Sequence, residues 1–252
     1  MRNKYPYLYE THLHTNQGSA CGRFSGAEMA AAAKAYGYTG IIVTEHNWGG
    51  NTSVPNDLPW KDWVEQFIEG YLDAKRYGDA NDLDVFWGYE SGYLGTDLQG
   101  TEFLIYGVDP QWLIDHPEIR DADPALQYDL IHQAGGMVIH AHPFREEPYI
   151  TGIRLFPNLV DGVEGINAHH SNLLSVSHYN PDQDEKAIAY AREHSKPITA
   201  GSDIHRLTLL GGGVAFKRRL TSVQDYCRAI LSGEDYVLTN GQDWFDKDGN
   251  PL

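Results

Sequence analysis

The chain has 252 residues, with 19 Lys and Arg against 35 Asp and Glu, which gives a formal net charge of −16 at pH 7. An acidic balance of this size argues against a nucleic-acid polymer as partner, because such binding needs basic surface to neutralise phosphates. No apolar run approaches the roughly 18–20 residues of a membrane helix, and no secretory apolar region follows Met1, so we expect a cytoplasmic protein with no membrane partner. Two cysteines are too few for a disulfide framework, so we expect reduced thiols.

Strand and helix patterns alternate along the whole chain. Residues 7–14 read as a strand, a capping box of Ser25 and Glu28 opens a helix that ends near Gly37, and residues 40–44 read as the next strand. A loop over 47–59 and a helix over 60–77 follow. The later predicted elements are strands at 84–90, 101–107, 136–142, 162–167 and 196–203, helices at 123–134, 182–194 and 222–232, and a surface tail at 244–252.

Six or seven strand–helix units without a linker predict one parallel α/β domain over residues 1–252, most simply a barrel. A doubly wound open sheet is the alternative. Histidines and carboxylates stand where the predicted strands end, and the carboxyl ends of barrel strands meet at one mouth, which favours the barrel.

Three of these strand ends repeat a two-residue spacing. His12 and His14 share one face of the first strand, and Asp203 and His205 show the same spacing after the last strong strand. Histidine is the commonest metal ligand in proteins, and carboxylate oxygens complete such sites. The third pair is His140 and His142, and we choose His142 because Pro143 places it at the mouth.

Two further strand ends supply candidates. Glu90 ends a strand at a position from which a carboxylate can bridge two cations. Glu45 and His46 are adjacent, so they point to opposite faces, and we choose His46 as the ligand. Each motif has an ordinary alternative: a capping acid, a solvated histidine, or a buried thiol in the case of Cys21.

At this point the chain resembles the PHP family, the polymerase and histidinol phosphatase metallophosphoesterases. The resemblance runs over essentially the whole chain and rests on the segments at 12–15, 44–47, 88–90, 141–144 and 201–205, in family order. It implies a distorted seven-stranded (β/α) barrel whose strand C-termini hold two or three divalent cations. Mixed nitrogen and oxygen ligands suit Zn, Mn or Fe, and the sequence does not choose among them.

The resemblance also distributes the ligands. It places His12, His14, Glu90 and Asp203 on one metal, Glu90 and His142 on a second, and His46 and His205 on a third. Where the family often has a histidine after the Glu90 strand, this chain has Glu102, a candidate substitute ligand. Where the family often has Asp or His in the first loop, this chain has Ala20, which leaves the third metal site weaker, differently ligated or absent.

These residues predict a metal-dependent phosphoric ester hydrolase that acts on a small phosphorylated metabolite, such as histidinol phosphate or a nucleotide. Arg23, Arg145 and Arg206 are the candidates for binding the substrate phosphate, and His46 or His205 would donate a proton if the third metal were missing. An amidohydrolase-like metal hydrolase is an alternative, disfavoured because no lysine occupies a strand end. A non-catalytic metal-binding barrel is the other alternative, and the oligomeric state is left open.

Overall fold

The computed structural model describes all of residues 1–252. Its ten strands are β1 (Tyr7–Leu13), β2 (Gly40–His46), β3 (Asp84–Ser91), β4 (Glu102–Tyr106), β5 (Met137–Ala141), β6 (Gly162–Asn167), β7 (Ile198–Gly201), β8 (Gly212–Phe216), β9 (Tyr236–Asn240) and β10 (Trp244–Asp246). Its eight α-helices are α1 (Gly26–Tyr36), α2 (Trp60–Phe67), α3 (Glu69–Asn81), α4 (Pro110–Asp115), α5 (Pro124–Gln133), α6 (Ala168–Ser171), α7 (Asp182–Glu193) and α8 (Val223–Leu231).

All ten strands belong to one sheet, in the order β10-β9-β8-β1-β2-β3-β4-β5-β6-β7. Strands β1, β2 and β3 run parallel, β4 is antiparallel to both of its neighbours, and β5, β6 and β7 are again parallel. The remaining strands, β8, β9 and β10, are each antiparallel to the strand beside them.

The sheet curls so that its last parallel strand returns to its first. The segment after β7 pairs with the end of β1: Ile204 N donates to His12 O at 3.1 Å, and His14 N donates to Ile204 O at 2.9 Å. Parallel strands with helical crossovers place their carboxyl ends on one side of a sheet. The curl therefore gathers the ends of β1, β2, β3, β5 and β7 around a single mouth.

The predicted α/β class is confirmed, but the count of seven strand–helix units is not. Strand β4 follows β3 through a loop rather than a helix and enters the sheet antiparallel. Strands β8 and β9 were not predicted, and the predicted surface tail contains β10. Three consecutive glycines at 211–213 are typical of a turn, yet β8 begins at Gly212. Gly213 makes this possible, because a Cβ at this position would lie 2.1 Å from Tyr9 O on the neighbouring strand.

The predicted helices are close to those observed. The capping box at the start of α1 is present, with both reciprocal contacts between Ser25 and Glu28, and Gly37 ends the helix in the left-handed conformation at φ 99°. The helix expected over 60–77 is two helices, α2 and α3, separated at Ile68. Helix α4 and the short 3-10 turn Pro117–Arg120 were not predicted.

Apolar side chains fill both faces of the sheet. On the face that carries Glu90, a cluster that includes Tyr9, Ile42 and Leu104 lies beneath the mouth, with Phe86 packed against it. On the other face, α1 and α3 cover β1 and β2, and α2 covers β3 through residues such as Trp63. None of the helices combines the length and apolar character that crossing a bilayer requires.

Candidate metal centre

Strand β1 delivers two imidazoles to the mouth, as the spacing of His12 and His14 predicts. His12 Nε2 lies 3.3 Å from Glu90 Oε1, and His14 Nε2 lies 3.4 Å from Glu90 Oε2. The pairing of β1 with β2 shifts register between Glu10 and Leu13, next to these histidines. The two histidines therefore address different oxygens of one carboxylate.

The Glu90 carboxylate lies at the centre of the cluster. His142 Nε2 is 3.1 Å from its Oε1 atom, and His46 Nδ1 is 2.9 Å from its Oε2 atom. Burial on its own would raise the pKa of Glu90, but His12 and His46 outweigh it and hold the pKa well below the usual range. One charged carboxylate thus has a pair of imidazoles on each oxygen, which is the arrangement of a group that bridges two cations.

Asp203 completes the first pair of histidines. Its Oδ1 atom lies 3.2 Å from His14 Nε2 and 3.5 Å from His12 Nε2. Asp203 has φ 53° and His142 has φ 28°, a region that residues other than glycine seldom adopt. Such strained backbone persists where the surrounding structure fixes it, and it is frequent at functional sites.

Glu102 reaches the same cluster from an unexpected direction. Its Oε2 atom lies 3.6 Å from His142 Nε2, and its Oε1 atom lies 3.9 Å from His46 Nδ1. Glu102, the candidate substitute ligand, begins β4 instead of ending a strand, and it reaches the mouth because β4 enters the sheet antiparallel. Burial raises the pKa of Glu102, and repulsion from Glu90 raises it further.

Several candidate ligand atoms in this cluster make no hydrogen bond within the protein. His12 Nε2, His14 Nε2, His46 Nδ1 and Glu90 Oε2 are buried and make no hydrogen bond, although they lie at ion-pair distances from one another. A buried polar atom without a partner is costly, so such atoms normally indicate a ligand or an ion. Two imidazoles and a carboxylate on either side of Glu90 fit divalent cations.

A cavity of about 750 Å³ opens over this cluster. His205 lines it, with its ring 4.6 Å from that of His14 and its Nε2 atom 3.7 Å from Asp203 Oδ1. Arg23 and Arg206 also line the cavity and are exposed at its rim. The structure therefore brings every predicted ligand, and the predicted arginines of the rim, to one place.

Arg145 also lines the cavity but is engaged within the protein. Its Nη2 atom lies 2.7 Å from Asp203 Oδ2, and its Nε atom donates to His170 Nε2 at 3.1 Å. His170 in turn donates from Nδ1 to Asp184 at 2.9 Å. The guanidinium of Arg145, a predicted candidate for binding the substrate phosphate, is thus buried and held from two sides.

Sequence reasoning missed the residues that orient the ligands. Glu164 Oε1 accepts from His12 Nδ1 at 3.0 Å, and Glu164 Oε2 accepts from the backbone N–H of His142 at 3.2 Å. The available signal was an acid between apolar and glycine residues inside the predicted strand 162–167. Its position implies burial, and a buried acid needs donors.

A second support lies under the first loop. Ser19 Oγ donates to Glu45 at 2.6 Å and lies 3.1 Å from His14 Nδ1. Glu45 faces away from the mouth, as expected for the neighbour of His46, and also accepts from Thr15 N. Because the Ser19 hydroxyl gives its proton to Glu45, it receives one from His14 Nδ1, which leaves His14 Nε2 as a bare ligand atom.

The other histidines and two tryptophans near the mouth lie outside the cluster of candidate ligands. His140 points into the apolar core, stacks on Phe103 at 4.8 Å, and burial lowers its pKa to about 3. His169 and His178 line the cavity. Trp48 packs edge-on against Trp60 outside the cavity, so these indoles stabilise a loop rather than line the site.

Cys21 lies in the first loop and lines the cavity beside two of the imidazoles. Burial on its own raises the pKa of its thiol, but hydrogen bonds with His205 and His46 outweigh burial and lower the pKa to about 6. Ala20, the preceding residue, is exposed and offers no ligand atom.

One family model matches part of the chain. The family model PHP_C, described as PHP-associated, matches residues 181–234. No curated protein matches the sequence.

Similar solved structures share the fold. A two-domain protein from Bacteroides vulgatus containing a predicted PHP-like metal-dependent phosphoesterase has a TM-score of 0.66 at 15% identity, over 92% of this chain and 64% of that one. This chain therefore spans less than two thirds of that protein. A proposed metal-dependent phosphoesterase from Bifidobacterium adolescentis has a TM-score of 0.54 at 15% identity, over 90% and 96% of the two chains.

An amidohydrolase from Chromobacterium violaceum, solved with bound sulfate and no metal, has a TM-score of 0.54 at 16% identity, over 78% and 87% of the two chains. At these identities the likeness establishes the fold, and the PHP-associated model extends the match to the sequence of α7 and α8. The chain accordingly has the PHP fold, and the resemblance to the PHP family that its motifs predicted is confirmed.

Proposed function

We propose that the chain is a metal-dependent phosphoesterase that hydrolyses a phosphomonoester of a small metabolite. The observation that carries this proposal is the convergence of three buried histidines and two buried carboxylates, among which His12 Nε2, His14 Nε2 and Glu90 Oε2 make no hydrogen bond. These residues are His12, His14, His142, Glu90 and Asp203. Two divalent cations held there would lower the pKa of a water and neutralise phosphoryl oxygens.

The protein groups have separate tasks in this proposal. Glu90 keeps one oxygen toward His12 and His142 and the other toward His14 and His46, so it fixes the spacing of the two positions. Asp203 adds negative charge on the His14 side, and Glu102 adds it on the His142 side. His46 and His205, at the open side of the cluster, are the candidates for a third cation or for proton donation to the leaving group.

Charge and size at the mouth support a small anionic substrate. Arg23 and Arg206 stand at the rim, and a cavity of about 750 Å³ suits a metabolite. The net charge of −16 disfavours an extended polyanion, which would be repelled before it reached two arginines. The amidohydrolase from Chromobacterium violaceum was solved with sulfate, an oxyanion of tetrahedral shape like phosphate.

Amide hydrolysis on a lysine-bridged metal pair is the competing function. That structural neighbour favours it by name, but no lysine lines the cavity of this chain, and Glu90 stands where a bridging group is needed. A glutamate-bridged metal pair, as in the phosphoesterase proposal, therefore fits these residues better than a lysine-bridged pair.

The deciding experiment compares substrate classes on one preparation. The purified chain, stripped with chelator and reloaded with Zn, Mn or Fe, is assayed with p-nitrophenyl phosphate, bis-p-nitrophenyl phosphate, p-nitroacetanilide and a panel of phosphorylated metabolites. We expect turnover of monoesters that depends on the added metal. Turnover of the anilide alone would establish the competing function, and no turnover of any phosphate ester would refute the proposal.

A matched pair of variants ties the activity to the site. His14→Ala removes a predicted ligand and should lower metal content and activity together, with a loss of at least about tenfold in activity. His194→Ala changes an exposed histidine at the end of α7 and should leave both unchanged. Full activity of the His14 variant with its metal intact would contradict the ligand assignment.

A further inference from the structure

The third metal position has a sulfur atom where the family resemblance leaves a gap. Ala20 is exposed and carries no donor, but the thiol of Cys21 belongs to a tight cluster. One ligand atom from each of His14, Cys21, His46 and His205 lies within 4.8 Å of the other three. The ring of His14 is stacked between the other two imidazoles, 4.4 Å from His46 and 4.6 Å from His205.

We propose that Cys21, His46 and His205 bind a divalent cation through one thiolate and two imidazoles, next to the carboxylate-rich pair of positions around Glu90. This inference rests on the proposed metal centre and identifies the chemistry of its third position. A thiolate with imidazoles selects a borderline or soft cation, such as Zn²⁺, Fe²⁺ or Co²⁺, over Mg²⁺ or Mn²⁺. Binding would release the thiol proton to solvent.

The loop that carries Cys21 is fixed on both sides of the thiol. Ala20 N donates to Asn51 O at 2.9 Å, and Arg23 N donates to His205 O at 3.1 Å, which ties the loop directly to one of the proposed ligand residues. Gly22 allows the close turn between them, because a Cβ there would lie 2.1 Å from Thr15 O. The sulfur atom is therefore positioned rather than free to swing away.

A second observation that points to a ligand comes from His46. Its Nδ1 atom is buried and makes no hydrogen bond with any protein group. His46 is almost fully buried, whereas Cys21 and His205 are partly accessible from the cavity. A site with one inner imidazole and an accessible outer side can admit a cation from solvent and leave a coordination position open.

Cobalt distinguishes sulfur ligation from ligation by nitrogen and oxygen alone. The full chain, stripped with chelator under reducing conditions, is titrated with Co²⁺ and followed by absorption. We expect the visible bands of bound cobalt and, in addition, a near-ultraviolet sulfur-to-cobalt charge-transfer band. Cys227→Ser is the matched control, since Cys227 is the other cysteine and is buried against the core cluster far along the chain. It should keep the charge-transfer band, and Cys21→Ser should lose it.

Thiol reactivity provides a second readout that does not depend on spectra. In the Cys227→Ser background Cys21 is the sole thiol, and bound Zn²⁺ or Co²⁺ should slow its alkylation by iodoacetamide at least about tenfold. Mg²⁺ should not protect it. Equal alkylation rates with and without Zn²⁺ and Co²⁺ would overturn the inference.

The outcomes separate this inference from the proposed function. Cobalt bound without a charge-transfer band, or with a band that survives Cys21→Ser, would refute the thiolate ligand and leave the centre around Glu90 intact. No cobalt binding at all, with no protection of the thiol, would refute the metal centre and this inference together.

Discussion

His12 donates from Nδ1 to Glu164 Oε1 at 3.0 Å, and this contact decides which nitrogen of His12 faces the metal centre. An ionised carboxylate accepts hydrogen bonds and cannot donate, so the proton of the neutral imidazole lies on Nδ1. Nε2 then presents a lone pair toward Glu90 and Asp203. Glu164 also accepts from the backbone of His142, so one buried carboxylate holds two candidate ligands that both face Glu90 Oε1.

Glu164→Gln should therefore weaken metal binding without removing a ligand. A glutamine amide can donate to His12 Nδ1 and permit the wrong tautomer, and groups in this position typically account for 10–100-fold in metal affinity. We expect a loss of about tenfold or more in affinity for Zn²⁺, measured by competition with a chromophoric chelator. Glu193→Gln, at the exposed end of α7, should leave the affinity unchanged. An unaltered affinity in Glu164→Gln would show that the contact does not set the tautomer.

Arg145→Met should destabilise the metal-free chain more than the loaded one. Asp203 would lose its only arginine partner, and a buried charge left without its partner costs about 3–5 kcal/mol. Bound cations would supply the missing positive charge, so urea unfolding with saturating Zn²⁺ should show a smaller difference from the parent chain. Arg206→Met, at the exposed rim, should change the free energy of unfolding by less than about 0.5 kcal/mol in either state and raise KM. Equal losses for Arg145→Met with and without metal would contradict this reading of the ion pair.

The sequence predicted which side chains meet at the mouth better than it predicted the sheet that holds them. His12, His14 and Asp203 were found because a two-residue spacing at a strand end is visible in any extended segment. Strand β8 was missed because glycines at 211–213 are typical of turns, and its pairing with β1 depends on residues about 200 positions away. Strand β9 was missed with it, because β9 pairs with β8. The direction of β4 was missed for a related reason: five residues in a row specify a strand but not which neighbour it pairs with.

The orienting residues were missed for a different physical reason. Glu164, Ser19 and Asp184 carry no spacing signal, because each acts through a contact with a residue on another element. Their importance follows from burial, and burial of a polar residue follows from the tertiary fold. Arg145 shows the same limit: its position near the mouth was predicted from Pro143 and the strand end, but its ion pair with Asp203 was not.

Asp225→Asn should reveal a pH-dependent contribution to stability that is remote from the metal centre. Arg218 donates to both oxygens of Asp225, at 2.6 and 3.0 Å, and these contacts hold the pKa of the Asp225 carboxyl below its usual range. A depressed pKa means that the stabilisation is present above the unfolded pKa of about 3.9 and is lost as pH falls through the folded value. Because Arg218 is partly exposed, we expect only about 1–2 kcal/mol at pH 7.

The measurement is the difference in free energy of unfolding between the parent chain and Asp225→Asn across pH. We expect a constant difference between about pH 5 and pH 7 that shrinks below about pH 4. Asp129→Asn changes an exposed carboxylate with no ion-pair or hydrogen-bond partner and should remain within about 0.5 kcal/mol throughout. If the difference for Asp225→Asn grew as pH fell, the pKa of Asp225 would not be lowered by folding.

Gly26→Ala should separate the two helices that cover β1 and β2. At Gly26 the start of α1 approaches α3 so closely that a Cβ would lie 1.9 Å from Gly70 O and 2.8 Å from Ala74 N. Backbone atoms cannot move aside as a flexible side chain can, so the helices must shift, and overpacking of this kind typically costs about 1–3 kcal/mol. The loss should appear as a lower urea midpoint at an unchanged slope. Gly152→Ala adds the same methyl group where no atom lies within 4 Å and should change stability by less than about 0.5 kcal/mol. If the two variants were equally stable, α1 and α3 would accommodate the added methyl group, which would contradict the tight contact at Gly26.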